Sequence, residues 1–264
     1  MSKNGQLPFE ARESERHPGG AVIDRHWHDN HQLVYVSSGV IAVQTESGGW
    51  VAASDRAVWI PANSWHQHRF YGTSNFHCVG FPTTQSPLTD TDPVIVNVDL
   101  FLRELIVAYT DPDLDDTEAD RIRIVICDRL RLASQQPVSL PIAFDARLAE
   151  ACAIAQSELQ QPIPLDVLAR RASTSGRTLA RLYRSEFGTT YPQWRNNVRV
   201  HEAMILLAQG HTVTDTAHRC GWATTSHFID TFRRITSRTP GSYRPSLAFH
   251  PRMSTDRRPE VSRR

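Results

Sequence analysis

Two groups of residues in this 264-residue chain have the types and spacing to do chemistry. His26 and His28 stand two apart, which puts both imidazoles on one side of a strand. Gln32 follows four residues later, and His66 lies on a later apolar stretch. Neutral imidazoles bind first-row ions such as Zn, Fe, Ni or Cu. They can equally hydrogen-bond an organic ligand. Three His and an amide carry no compensating negative charge, so hard cations are disfavoured. The expected ligand site is His26, His28, Gln32, His66 and Trp59. The candidate metal ligands are His26, His28, Gln32 and His66. Trp27, Trp50 and Trp65 are further candidates to line such a pocket. His31, His68 and His77 fit no ligand spacing and read as surface or core.

The second group is polar and arginine-rich. Arg177, Thr178, Arg181 and Arg184 share one face of a short helix, with Leu179, Leu182 and Tyr183 on the other. Ser175 suits the N-cap and Ala172-Ser173-Thr174 the turn before it. The pattern returns 48 residues after Ala169, at Ala217. The turn Cys220-Gly221-Trp222 follows, then a helix with Phe228 and Phe232 inward and Thr225, Ser226 and Ile229 toward its outer face. Each unit is a helix, a tight turn and a helix able to enter a major groove. Between them, Trp194, Val198, His201, Ile205 and Ala208 form one apolar stripe on a helix of about 27 Å. Such a rod would hold two recognition helices about one DNA turn apart, on one face of the duplex.

Short apolar runs between turn residues over 21–98 predict a small antiparallel barrel that would position the histidines. Ser37-Ser38-Gly39 reads as a hairpin between Leu33–Val36 and Val40–Val43. Glu46–Gly49 reads as another. The period then changes, and two helices are expected over 99–134, with a linker at Gln135–Pro141. These helices either cover the barrel or pair two copies of the chain. Residues 1–20 read as a flexible arm and 246–264 as a disordered basic tail. Up to Leu140 the chain has 11 Lys and Arg against 18 Asp and Glu; from Pro141 it has 18 against 10. Only the second half is suited to a polyanion. No apolar run approaches the about 18 residues of a bilayer-spanning helix. Four scattered cysteines without a CxxC predict reduced thiols and a cytoplasmic protein.

The stretch 145–244 resembles the AraC/XylS family of transcription regulators. The matching residues are Leu165–Ala169, Ser175 with Arg177-Thr178-Leu179, Phe187–Thr190, Arg199-Val200 and Leu206-Leu207. Gly221-Trp222, Phe232-Arg233, Thr239-Pro240 and Tyr243-Arg244 complete them. The resemblance implies a tandem helix-turn-helix domain on promoter DNA. It places base contacts on Arg177, Ala180 and Arg181, and on Thr225, Ser226, Ile229 and Asp230, with Thr178 and Arg184 beside them. Ser173 and Thr236-Ser237 stand where the family usually has Gly and Phe-Gly. Thr216 replaces an apolar residue.

The spacing of His26, His28, Gln32 and His66 resembles the two cupin motifs. Gln32 replaces a glutamate, and Asp55 and Asn63 replace glycines. The string from Trp50 to His66 is closest to a small-cupin subgroup of the same regulators. Together these resemblances imply an α+β, two-domain protein. A small cupin-like barrel with trailing helices precedes an all-α DNA-binding domain. It would be a regulator sensing a small-molecule effector, not an enzyme. The alternatives are a metal-dependent cupin enzyme and a metal-responsive sensor carrying a DNA-binding tail.

Overall fold

The computed structural model describes residues 5–6, 12–133, 135–136 and 140–244. The amino-terminal half contains β1 (Gly5–Gln6), β2 (Arg12–His17), β3 (Val22–Trp27), β4 (His31–Thr45), β5 (Gly48–Ala52), β6 (Arg56–Ile60), β7 (His66–Phe81) and β8 (Val94–Asn97). Helices α1 (Leu100–Tyr109) and α2 (Asp116–Leu132) follow, then the two-residue strands β9 (Gln135–Gln136) and β10 (Leu140–Pro141). The remainder is helical: α3 (Ala146–Ser157), α4 (Leu165–Arg171), α5 (Gly176–Phe187), α6 (Tyr191–Ala208), α7 (Val213–Arg219) and α8 (Thr225–Thr236).

Two long strands organise the sheet. β4 and β7 pair antiparallel from His31↔Phe81 to Thr45↔His66. The other edge of β7 carries β3 on its first half and β2 on its second. The other edge of β4 carries β6 and then β5. Alternation sends Val34, Val58, Ile60, Phe70 and Cys78 inward. It sends Leu33, Tyr35, Trp59, Val79 and Phe81 outward against Leu102, Ile106, Ile126 and Leu130 of α1 and α2.

The structure departs from three expectations. Ser37-Ser38-Gly39 is not a hairpin: β4 runs through it as one 15-residue strand. The register shifts twice there, between Val36 and Ser38 and between Ser38 and Val40. These bulges move the inward set from Val34 and Val36 to Ile41 and Val43. Gly39 sits at φ 80°, and a Cβ on it would lie 2.8 Å from Ser74 Cα. The arm expected over 1–20 is strand from Arg12 to His17, paired with β7 from Val79 to Ser74. The linker expected at Gln135–Pro141 includes β9 and β10, which pair with β8 and β5. The tail expected over 246–264 lies outside the described residues.

In the carboxyl-terminal half, α4–α5 and α7–α8 are the two expected units. Ser175 caps α5 by accepting from the Thr178 amide, and Thr224 caps α8 by accepting from the His227 amide. Thr190 and Gln193 form a capping box at the start of α6. The single apolar stripe expected on α6 is too narrow a description. Tyr191, Trp194 and Val198 enter the core of the first unit. Val200, Ala203, Met204, Leu207 and Ala208 enter a second core with Phe228 and Phe232 of α8 and with Val40, Val51 and Ala53 of the barrel wall. Ile205 is only half-buried. The rod is therefore packed on several sides. Arg195 braces it further: its buried guanidinium donates to Tyr191 Oη at 2.6 Å, to the Glu158 and Leu159 carbonyls at 3.3 Å, and to the Gln161 carbonyl.

Ser173, Ser237 and Asn63 adopt left-handed backbone, with φ of 54°, 61° and 62°. Each is a position where the families it resembles place glycine, so the turns persist without it. Thr216 is another departure. It is fully buried and its hydroxyl has no hydrogen-bond partner. Thr216→Val keeps the shape and removes a buried, unsatisfied group, so it should stabilise the protein by about 1 kcal/mol. Urea unfolding would show a higher midpoint at unchanged slope. A midpoint at or below that of the parent contradicts an unsatisfied hydroxyl at this position.

Candidate effector site and nucleic-acid interface

β3, the turn after it and β7 bring three histidines together. His26 pairs with His66 across the β3–β7 ladder. Ligand atoms of His26, His28 and His66 all lie within 4.8 Å of one another. Each of the three is buried. His26 Nδ1 donates to the Asp24 carbonyl at 2.6 Å, and His66 Nδ1 donates to the Ser64 carbonyl at 2.8 Å. These bonds fix the tautomers and leave each Nε2 as a lone-pair donor, as in metal-ligating histidines. His66 Nε2 has no hydrogen-bond partner. Burial pulls the His66 imidazole down to about 3, with the neighbouring His26 adding to the effect. Burial lowers His26 as well. Both rings are therefore neutral near pH 7, the form a metal ion requires.

Gln32 shares the inward face of β4 with Val34; its Oε1 is buried without a partner. The donor chemistry thus fits a first-row ion. Trp59 does not join this group. Val58 and Ile60 face the interior, so Trp59 between them faces α1 and α2 and stacks on His31 at 5.2 Å. Of the other tryptophans, Trp50 faces the interior, whereas Trp27 packs edge-on to Trp65. His31 accepts from the Ala62 amide and His77 bridges Ser37 and Thr110, so both have structural bonds. His68 is different: it faces inward beside His66, a place its spacing did not suggest.

On the other half, Arg177, Arg181 and Arg184 are exposed on α5, and Thr178 and Ala180 are half-buried beside them. With Ser185 they line a groove of about 660 Å³. On α8, Ser226 and Asp230 are exposed, while Thr225 is half-buried. Ile229 packs partly into the second core rather than standing clear of it. Exposed His227, Arg233 and Arg234 occupy the same helix and were not among the expected DNA contacts. An i+4, i+7 walk from Ser226 through Asp230 places Arg233 on the same face of α8.

The two halves touch through a polar cluster. Asp55, in the turn just before β6, accepts from Tyr243 Oη at 3.1 and 3.3 Å. Arg56 Nε and Arg238 Nε each lie 3.6 Å from Asp55 Oδ2. Arg56 also donates to the Ile235 carbonyl of α8 at 3.3 Å. Gly72 of β7, at φ 66°, approaches the end of α6 so closely that a Cβ would sit 2.5 Å from the Ala208 carbonyl oxygen.

Two family models match: a helix-turn-helix domain over residues 168–246 and a cupin domain over 13–80. The chain is 27% identical over 224 residues to the HTH-type transcriptional regulator NimR of Escherichia coli, covering 83% of this chain and 81% of that one. Among solved structures, similarity extends to an AraC-type regulator of Chromobacterium violaceum, at 27% identity over 37% of this chain and 88% of that one, TM-score 0.36. It extends also to the DNA-binding domain of AdpA in complex with a target DNA, at 34% identity over 38% and 90%, TM-score 0.35. The two family matches give the chain an amino-terminal cupin domain and a carboxyl-terminal helix-turn-helix domain. Among the described residues no helix is long and apolar enough to cross a membrane, and all four cysteines are free.

Proposed function

We propose that the barrel senses an effector at His26, His28, Gln32 and His66, and that occupancy changes how the tandem units sit on promoter DNA. The observation that carries this reading is the convergence of three buried histidines, two of which, His26 and His66, have backbone-fixed tautomers. The occupant this favours is a transition-metal ion of the Zn, Ni or Cu class, which makes the protein a metal-responsive regulator. An organic small molecule at the same histidines is the second reading, supported by Trp50 on the interior face. The barrel wall shares one apolar core with α6 and α8, so a shift at the site reaches the DNA-binding half through packed side chains. DNA contacts are assigned to Arg177, Thr178, Ala180, Arg181 and Arg184 on α5, and to Thr225, Ser226, Ile229 and Asp230 on α8. Dimerisation through α1 and α2 is supported by exposed Leu100, Phe101, Ile124 and Leu132.

The test is operator affinity at fixed salt, by fluorescence anisotropy, for chelator-stripped protein with and without Zn²⁺, Ni²⁺ or Cu²⁺. A shift of about 5- to 150-fold is expected with the cognate ion, the usual range of allosteric coupling. His26→Ala should abolish it. Equal affinity with and without each ion contradicts metal sensing.

A further inference from the structure

His201 sits on α6 where the helix passes from one apolar core to the next. Trp194 and Val198 before it enter the first core, and Val200, Ala203 and Met204 around it enter the second. The residue is only 4% exposed, and its Nδ1 is buried with no hydrogen-bond partner. Burial pulls the imidazole down to about 4, with Arg56 adding to the effect, so the ring is neutral near pH 7. Leaving a polar atom of a buried imidazole unpaired is costly, so the position calls for a partner. A cavity lies beside it. Ala42 of β4, Val51 of β5, Tyr71 of β7 and Leu140 of β10 line, with His201, a space of about 300 Å³. Ala42, Val51 and Tyr71 pack with the second core and Leu140 with the first, so the cavity lies where the barrel wall meets both units. It is separate from the histidine cluster. Val43 and Trp50 face the barrel interior, so Ala42 and Val51 beside them face away from it. Of the polar side chains on its walls, Gln44 Nε2 already donates to the Thr45 and Gly48 carbonyls. Arg69 is exposed and keeps its hydration.

We propose that this cavity is a second ligand site, for an uncharged aromatic of one or two rings that carries a hydroxyl group. The apolar walls take the rings and His201 pairs with the hydroxyl. A hydroxyl can donate or accept, so it satisfies Nδ1 in either tautomer. A carboxylate or an ammonium would give up its hydration against apolar walls, with a neutral imidazole as its buried partner. The volume is at the small end of ligand pockets and suits a fused-ring compound rather than a larger one. An occupant touches β4, β5 and β7 on one side and α6 on the other, so both halves of the chain hold it. The inference stands apart from the metal-sensing reading, because none of His26, His28 and His66 lines this cavity.

The experiment measures binding of 2-naphthol to chelator-stripped full-length protein by equilibrium dialysis. 2-Methylnaphthalene, which matches it in shape without the hydroxyl, is the comparison. One 2-naphthol per chain is expected, with a dissociation constant of about 0.1 mM or tighter. The ratio of the two affinities should fall about 3- to 10-fold in His201→Leu, the size of one neutral hydrogen bond. Ala42→Leu adds bulk to the cavity wall and should weaken both compounds. His26→Ala should leave 2-naphthol binding unchanged, which separates this site from an organic ligand at the barrel histidines. Thermal melting checks the fold of each variant. In the parent protein, 2-naphthol should shift the His201 ring nitrogens in histidine ¹⁵N spectra, a reading that stands even if a variant is unstable. An unchanged affinity ratio in folded His201→Leu would overturn the site. So would 2-naphthol binding that is lost in His26→Ala and kept in Ala42→Leu. No binding to the folded parent protein, or tighter binding of 2-naphthoate than of 2-naphthol, would overturn it as well.

Discussion

An Arg177→Ala, Arg181→Ala double variant should lose about two to four orders of magnitude in affinity for its operator, at about 1–3 kcal/mol per base contact. The two side chains are exposed one turn apart on α5, flanking half-buried Thr178 and Ala180. Arginine at the amino-terminal half of a recognition helix can pair bidentately with guanine. Ala180 can offer only a methyl, so the first unit relies on the arginines. The loss should be confined to specific DNA. Binding to random sequence should fall far less, because Arg184, Arg233 and Arg234 remain to meet phosphates. Anisotropy titrations on operator and scrambled DNA at several salt concentrations separate the two effects. An unchanged ratio of specific to nonspecific affinity contradicts base reading by these residues.

Asp55→Ala should be the most damaging single change to stability. Asp55 is 9% exposed and receives the Tyr243 hydroxyl while facing the Arg56 guanidinium. Arg56 is itself only 2% exposed. Removing the carboxylate leaves a buried guanidinium and a buried hydroxyl short of their acceptor. Breaking a buried pair in this way costs about 3–5 kcal/mol. Arg238 is 44% exposed and keeps its hydration, so it adds little. Asp55→Asn keeps an acceptor for Tyr243 and should cost less. The damage should centre on the interface: amide exchange should rise in α8 and in the second half of α6, and much less in α4 and α5. Urea unfolding gives the size of the effect. A loss under about 1 kcal/mol would show that the cluster does not hold the halves together.

The helical half was legible because its signals are local. Caps at Ser175 and Thr224, the left-handed Gly188 and the apolar faces of α5 and α8 all lie within a turn or two of what they specify. The barrel was legible in outline only. Whether Ser37-Ser38-Gly39 turns the chain back or bends one strand depends on β7, more than thirty residues away. The face of Trp59 was likewise decided by its alternation with Val58 and Ile60 against helices not yet formed. The convergence of His26, His28 and His66 showed in their spacing. The inward place of His68 did not, because only the pairing of β3 with β7 brings it beside His26. Asp55 read as a lost glycine; its partners Tyr243 and Arg238 lie in the other half of the chain.

Hydroxyl-radical and methylation-interference footprinting of the full-length protein on its operator tests the central claim most directly. Two major-groove contacts about 10 base pairs apart, on one face of the duplex, are expected from α5 and α8 held by α6. A single protected groove, or two contacts on opposite faces, would contradict it.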